Sequence, residues 1–288
     1  MCSILPVFTD TENPVIHTTK PKEKQDTKRS LLTEGNDISR RARVSNAGKP
    51  GCEEAGKLGP NGYRGRMNAQ PGSYDGNTVA GGPAQTRLTK QLEITKLTVG
   101  PLGNNCYLLR CRRTGGTLLI DAAAEPDRIL EMTGGRIDRI LTTHGHHDHW
   151  GALAAIKQAT GAETLAHPAD AEMIGVPTDR LVDGGDRVPV GEVELEAVHL
   201  VGHSPGSLAL IHRDVDGSTH VFSGDALFPD GVGNTWGDPN AFRSLLDGVT
   251  SQIFDRLPDG AWVYPGHGAD TTLGVERPAL STWRARGW

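Results

Sequence analysis

The stretch T-T-H-G-H-H-D-H-W-G, residues 142–151, decides how the rest of the sequence is read. It offers His144, His146, His147, Asp148 and His149 in close succession, all donors that borderline cations such as zinc prefer. Each neutral imidazole brings one donor and one acceptor that need partners if buried, and at mildly acidic pH the rings charge and repel. A bound cation removes both problems.

Working outward, R-I-L-T-T at residues 139–143 reads as a short buried strand. Residues 151–160 read as a helix with Leu153 and Ile156 on one face. The histidine run is therefore the loop leaving the C-terminal end of a strand, where α/β folds place their chemistry. Upstream, residues 92–99, 105–111 and 116–121 read as strands joined by glycine-containing turns, followed by a helix at 126–132; 163–167 is a further strand. Downstream, E-V-E-L-E-A-V at 192–198 alternates acidic and apolar residues as a half-buried strand does. Residues 207–212 and 220–223 should pair beside it across a turn at 214–217. Asp238-Pro239 signals a helix start, with Phe242, Leu245, Leu246, Val249 and Ile253 as its apolar face, and residues 261–264 form a last strand. Two sets of strands with interleaved helices imply an α/β protein with a sheet-on-sheet core and helices outside.

Composition divides the chain. Residues 1–90 carry 14 Lys and Arg against 9 Asp and Glu and hold no sustained apolar period, which predicts a disordered, weakly basic N-terminal extension. Residues 91–288 carry 16 against 26 and read as one catalytic domain. That acidic body argues against a nucleic-acid partner, because phosphate backbones need a concentrated positive patch. No apolar run approaches the roughly 20 residues that span a bilayer, which argues against a membrane. Cys2, Cys52, Cys106 and Cys111 make no C-x-x-C pair, so a reducing compartment, the cytoplasm, is expected. Composition does not set the oligomeric state.

One loop cannot close two metal sites, so further ligands must come from elsewhere. His203 in V-G-H-S-P-G, Asp225 in F-S-G-D-A-L-F and His267 in Y-P-G-H-G each lie after or between strands, next to glycine. Glycine lets the backbone turn tightly enough to aim a short ligand.

H-G-H-H-D-H resembles the H-x-H-x-D-H motif of the metallo-β-lactamase-fold hydrolases. G-H-S-P-G, S-G-D-A-L-F and Y-P-G-H-G follow in that superfamily's order, over residues 91–270. The wording around these motifs is most similar to the glyoxalase II (hydroxyacylglutathione hydrolase) branch. The resemblance implies an αβ/βα four-layer sandwich and two divalent metal ions, zinc first, with iron or manganese as alternatives. By motif position His144, His146 and His203 would hold the first metal, Asp148, His149 and His267 the second, and Asp225 would bridge them. Two divalent cations outweigh Asp148 and Asp225, and neutral imidazoles add nothing, so positive charge remains to hold a hydroxide. Attack of that hydroxide on a small-molecule thioester, a hydroxyacyl-thiol, is the implied reaction, with Asp148 and Asp225 as the catalytic carboxylates. Asp121, ending L-L-I-D, matches another acidic position and is expected to orient the ligand loop.

His147 is expected to face solvent or to support the ligands from behind, and His199 to be a satisfied core histidine, with bracing of the His203 loop as its alternative; His167, His212, His220 and His17 carry no assignment. Glyoxalase II of the longer type has a helical C-terminal domain that binds glutathione, whereas only 21 residues follow His267 here, which points to the short, single-domain type. Asn234 stands where the family's G-C-G-R pattern would place a basic residue, so a different thiol carrier is expected. Phe228, Trp236 and Tyr264 are the candidates for pocket walls. Alternative readings are a mononuclear iron persulfide dioxygenase, a lactonase and a nucleic-acid-processing metallo-hydrolase.

Overall fold

A computed structural model describes residues 74–287; residues 1–73, most of the segment expected to be disordered, lie outside the described residues. The described chain forms two large sheets. The first has seven strands in chain order: β1 (Gln85–Leu88), β2 (Leu92–Val99), β3 (Asn104–Cys111), β4 (Thr117–Ile120), β5 (Arg139–Leu141), β6 (Glu163–Ala166) and β7 (Arg180–Leu181). Strands β1 to β4 are antiparallel neighbours, whereas β4 to β7 are parallel. Helices α1 (Pro126–Thr133) and α2 (Leu153–Thr160) make two of the parallel crossovers. Short α3 (Pro168–Ala171) lies in the third.

The second sheet is built from β8 (Arg187–Val190), β9 (Val193–His199), β10 (Leu208–Arg213), β11 (Thr219–Gly224), β14 (Trp262–Pro265) and β15 (Thr271–Thr272), with β15 and β8 at its edges. A two-stranded hairpin, β12 (Leu227–Phe228) and β13 (Gly231–Val232), follows β11. Helix α4 (Pro239–Val249) begins where expected: Asp238 accepts hydrogen bonds from the Asn240 and Ala241 amides and Pro239 opens the helix. Helices α5 (Leu273–Glu276) and α6 (Leu280–Arg286) complete the chain.

Three apolar clusters define four layers. Between the sheets, Leu92, Ile94, Tyr107 and Leu109 of the first meet Leu195, Ala197, Leu210 and Phe222 of the second. The outer face of the first sheet packs Leu97, Leu119 and Ile140 against Ile129, Leu153 and Ile156 of α1 and α2. The outer face of the second packs Ala209, Ile211 and Val221 against Phe242, Leu245, Leu246 and Val249 of α4. This is the αβ/βα sandwich, and the alternation in β9 explains its inner face: Val193, Leu195 and Ala197 are buried while Glu194 is exposed. Cys106 and Cys111 are buried thiols of β3.

Two local readings are corrected. The first sheet begins before the expected boundary at residue 91, with the strand Gln85–Leu88. β1 pairs along its whole length with β2, and Tyr74 packs against Trp262 and Tyr264. β1 is an edge strand of half-buried and exposed residues, so backbone pairing rather than an apolar pattern holds it, and the sequence alone carries no such signal. β8 was also missed: its Pro189 reads as a strand breaker but is tolerated at a sheet edge. No helix among the described residues is long and apolar enough to cross a membrane.

Candidate metal centre

The histidine loop leaves β5 and closes into a single 3₁₀ turn, His147–His149, in which the His149 amide donates to His146 O at 3.0 Å. His144 and His146 precede that turn, and Asp148 and His149 lie within it. His203 arrives on the β9–β10 loop, Asp225 just beyond β11, and His267 just beyond β14. Glycine is required at the closest approaches: a Cβ on Gly266 would stand 2.2 Å from Asp225 Oδ1, and one on Gly233 would stand 1.8 Å from Asp225 O.

All seven candidate ligands come together. His203 Nε2 lies 3.1 Å from His144 Nε2 and 3.0 Å from His146 Nδ1. His267 Nε2 lies 3.3 Å from His149 Nε2 and 3.4 Å from Asp148 Oδ2. Asp225 stands between the two trios, with Oδ1 3.5 Å from His149 Nε2 and Oδ2 3.5 Å from His203 Nε2 and 3.6 Å from His267 Nε2. Donor atoms of His144, His149 and Asp225 also lie within 4.8 Å of one another.

Hydrogen bonds on the far sides of the rings fix what faces inward. His149 Nδ1 donates to Asp121 Oδ2 at 2.8 Å, His203 Nδ1 to Asn234 O at 2.9 Å, and His267 Nδ1 to Leu102 O at 3.1 Å. Thr143 Oγ1 donates to Asp121 Oδ2, which leaves it to accept from His144 Nδ1 at 3.1 Å. In its neutral form each of these rings therefore turns an Nε2 lone pair toward another. Lone pairs facing at 3.1 and 3.3 Å repel unless positive charge stands between them. Asp225 Oδ1 is buried and has no hydrogen-bond partner, so this donor set fits a cation.

Electrostatics agree. Burial, then the charge of His149, pushes His144 well below the ordinary histidine range, and burial also lowers His203 against the pull of Asp225; both rings stay neutral, as metal ligands must. Burial would lower His149 too, but Asp121 and then Asp225 outweigh it and push the ring up to about 10. Two carboxylates thus favour positive charge at this spot. Burial raises Asp225, yet the nearby charge of His149, with His144 and His267 behind it, holds its carboxyl below the usual carboxylate range.

The supporting residues are mostly ones that sequence reasoning missed. Asp121 has the expected orienting position and also accepts the Thr143 amide at 2.7 Å. Asp170, fully buried, accepts from the Gly145 amide (2.8 Å), Ser204 Oγ (2.6 Å) and the Gly206 amide (2.7 Å), tying the His144 loop to the His203 loop. Asn104 donates to Asp148 Oδ2 at 2.9 Å. Behind His267, buried Lys96 donates to Gly268 O, Gly76 O and Asp270 Oδ1. None of these has a local motif; a lone Asp or Lys acquires its meaning only from what the fold brings beside it.

The other histidines separate. His147 is exposed, as expected, and stacks edge-on to Trp150. His199 is not a core residue: it is partly exposed and donates to Pro205 O at 2.8 Å, bracing the His203 loop, because the end of β9 emerges at the surface there. His167 caps α3 and contacts Asp183. Its acceptance of the Ala169 amide at Nδ1 puts its proton on Nε2, which disqualifies that nitrogen as a ligand despite the proximity of Asp183 and His199. Of the aromatic candidates, Trp236 lies 5.1 Å from the His146 ring and 5.2 Å from His203, and Phe228 6.5 Å from His267. Tyr264 is a core residue bonded to Arg87 and His220, not a pocket wall, since its strand turns it into the space between the sheets.

A family model described as the metallo-beta-lactamase superfamily matches residues 99–273. The chain is 40% identical over 167 residues to a hydroxyacylglutathione hydrolase of Polaromonas sp., a match covering 56% of this chain and 60% of that protein, so the chain spans well under two thirds of that relative's length. Among solved structures it is similar to TTHA1623 in a di-iron-bound form, at 34% identity and a TM-score of 0.53, covering 63% of this chain and 96% of that one. It is also similar to ETHE1 from Myxococcus xanthus, at 28% identity and a TM-score of 0.57, covering 67% and 84%.

Proposed function

The chain belongs to the metallo-beta-lactamase superfamily, and from that premise we propose that it is a dinuclear metal-dependent hydrolase that cleaves a small-molecule thioester. The observation that carries the reading is the pair of Nε2–Nε2 approaches, His144 to His203 at 3.1 Å and His149 to His267 at 3.3 Å, with the unpartnered carboxylate of Asp225 between them. His144, His146 and His203 would hold one divalent cation, Asp148, His149 and His267 a second, and Asp225 both. Zinc suits this imidazole and carboxylate set, as do iron and manganese. When bound, such cations acidify a water to near pH 7 and polarise a carbonyl.

The chain's own groups do the rest. Asp225, kept ionised, orients the attacking water and accepts its proton. Asp148 is held in place by Asn104 and remains ionised: burial raises it, but the Asn104 hydrogen bond and the neighbouring charge of His149 prevail. Asp121 keeps His149 in the tautomer that presents Nε2. The similarity to a hydroxyacylglutathione hydrolase supports the thioester as the bond cleaved.

A second reading, a mononuclear iron persulfide dioxygenase, draws on the likeness to ETHE1. Metal analysis of the purified protein with assays on S-lactoyl thioesters, a lactone, a lactam and a persulfide separates the two. The expected result is about two divalent metals per chain and thioester cleavage that chelation abolishes. One iron per chain with oxygen uptake on the persulfide, or lactam turnover without thioester cleavage, would overturn the proposal.

A further inference from the structure

The loop beyond Asp225 is built on Asn234. Its backbone oxygen accepts from His203 Nδ1 at 2.9 Å, while its side-chain Oδ1 accepts the Trp236 amide at 2.7 Å. The Asp238 amide donates to Thr235 O at 3.0 Å and closes the turn. Held by these bonds, Trp236 adopts φ 51°, a left-handed conformation that a bulky side chain rarely takes. The residue is 63% exposed, yet its indole lies against the rings of His146 and His203. A core tryptophan would be buried, and a solvent-facing turn needs neither an indole nor the strain. The same residue that fixes a candidate ligand thus presents a large apolar surface to solvent beside the His144, His146 and His203 cluster. The loop also walls a cavity of about 460 Å³, lined in part by Phe228, Pro229, Val232, Asn234, Thr235 and Arg286.

We infer that Trp236 determines specificity for the acyl half of the substrate, its indole covering an aryl or branched-alkyl acyl group whose carbonyl lies at that cluster. Placing an apolar group under the indole removes apolar surface of both from water. A hydroxyacyl group at the same place would bring a hydroxyl against the ring face with no partner. The inference rests on the proposed hydrolase reading for the existence of an acyl substrate, but not for the identity of the bond cleaved.

The test uses the full metal-loaded chain, Trp236→Ala and Trp236→Phe. Phenylacetate and lactate, the products of an aryl and a hydroxyacyl substrate, are titrated calorimetrically, and kcat/KM is measured on phenylacetyl, lactoyl and acetyl thioesters. Wild type is expected to favour phenylacetate over lactate by about tenfold or more. Trp236→Ala should abolish that preference, Trp236→Phe should retain most of it, and metal content should be the same in all three. The inference fails if wild type binds the two acids equally or Trp236→Ala keeps the preference. It also fails if Trp236→Ala loses metal along with activity, which would make the ring only a support for its ligands. A phenylacetate preference without thioester turnover would leave the inference standing and refute the bond assigned above.

Discussion

Asp121 shows what one side chain decides at this site. It sits at φ 59°, a conformation that asparagine also tolerates, and accepts from Thr143 and His149. Asp121→Asn keeps the shape but presents an amide to His149 Nδ1, which moves the ring proton to Nε2 and blocks the ligand position. Affinity for the second metal should fall about 10–100-fold, with little change in circular dichroism; titration of the metal-free variant checks this. Asp225→Asn removes the central charge, and kcat on the best thioester should drop about 10²–10⁴-fold, measured at saturating metal so that occupancy and chemistry are separated. The candidate ligands were legible because His, Asp and Gly in those spacings serve few other purposes. Asp170, Asn104 and Asn234 were not, because each bonds residues far away in the chain.

Among the elements, the strands deliver ligands and the loops between them must be locked together. Asp170, at the short helix α3, performs that locking between the β5 and β9–β10 loops. Asp170→Ala strands the buried Gly145 and Gly206 amides and leaves Ser204 Oγ only Ser207 Oγ, at a cost of about 3 kcal/mol or more, and the midpoint in a melting experiment should fall by roughly 6–12 °C. On β10 and β11, His212 and His220 stack 5.9 Å apart as cross-strand partners. Burial, then the charge of His212, lowers His220 from 6.5 to about 4; burial also lowers His212, against Asp214. A histidine lowered on folding binds its proton more weakly folded than unfolded. Its contribution is therefore complete above pH 6.5 and is lost as pH falls through about 4. Thermal melts across that window should show stability declining toward acid, and His220→Gln should flatten the slope; an unchanged slope would rule this source out. The strands of the β2–β4 and β9–β11 runs were legible from apolar alternation and turn residues. The edge strands β1 and β8 were not: pairing alone holds the half-buried and exposed residues of β1, and Pro189 interrupts β8 although Val188 and Val190 are buried.

For the whole molecule, the centre is shared between two sheets, so its occupancy should stabilise the sandwich as a unit. Ligand binding at about 1,000 times Kd adds roughly 4 kcal/mol; chelation should lower the melting temperature by on the order of 10 °C, and added zinc should restore it. A chain beginning at residue 74 should keep the wild-type melting temperature, whereas one beginning at residue 91 should melt lower. The latter loses β1, Tyr74 and the Gly76 carbonyl that closes over the buried Lys96–Asp270 pair. Equal melting curves would return the boundary to residue 91. From the sequence came the layered architecture and the set of candidate metal ligands, because periodicity and ligand chemistry are written locally. Tertiary structure alone decided which ring nitrogens face each other, which carboxylates hold them there, and that Trp236 rather than Tyr264 stands at the site. Those facts depend on distances between residues remote in the chain, and no local pattern encodes them.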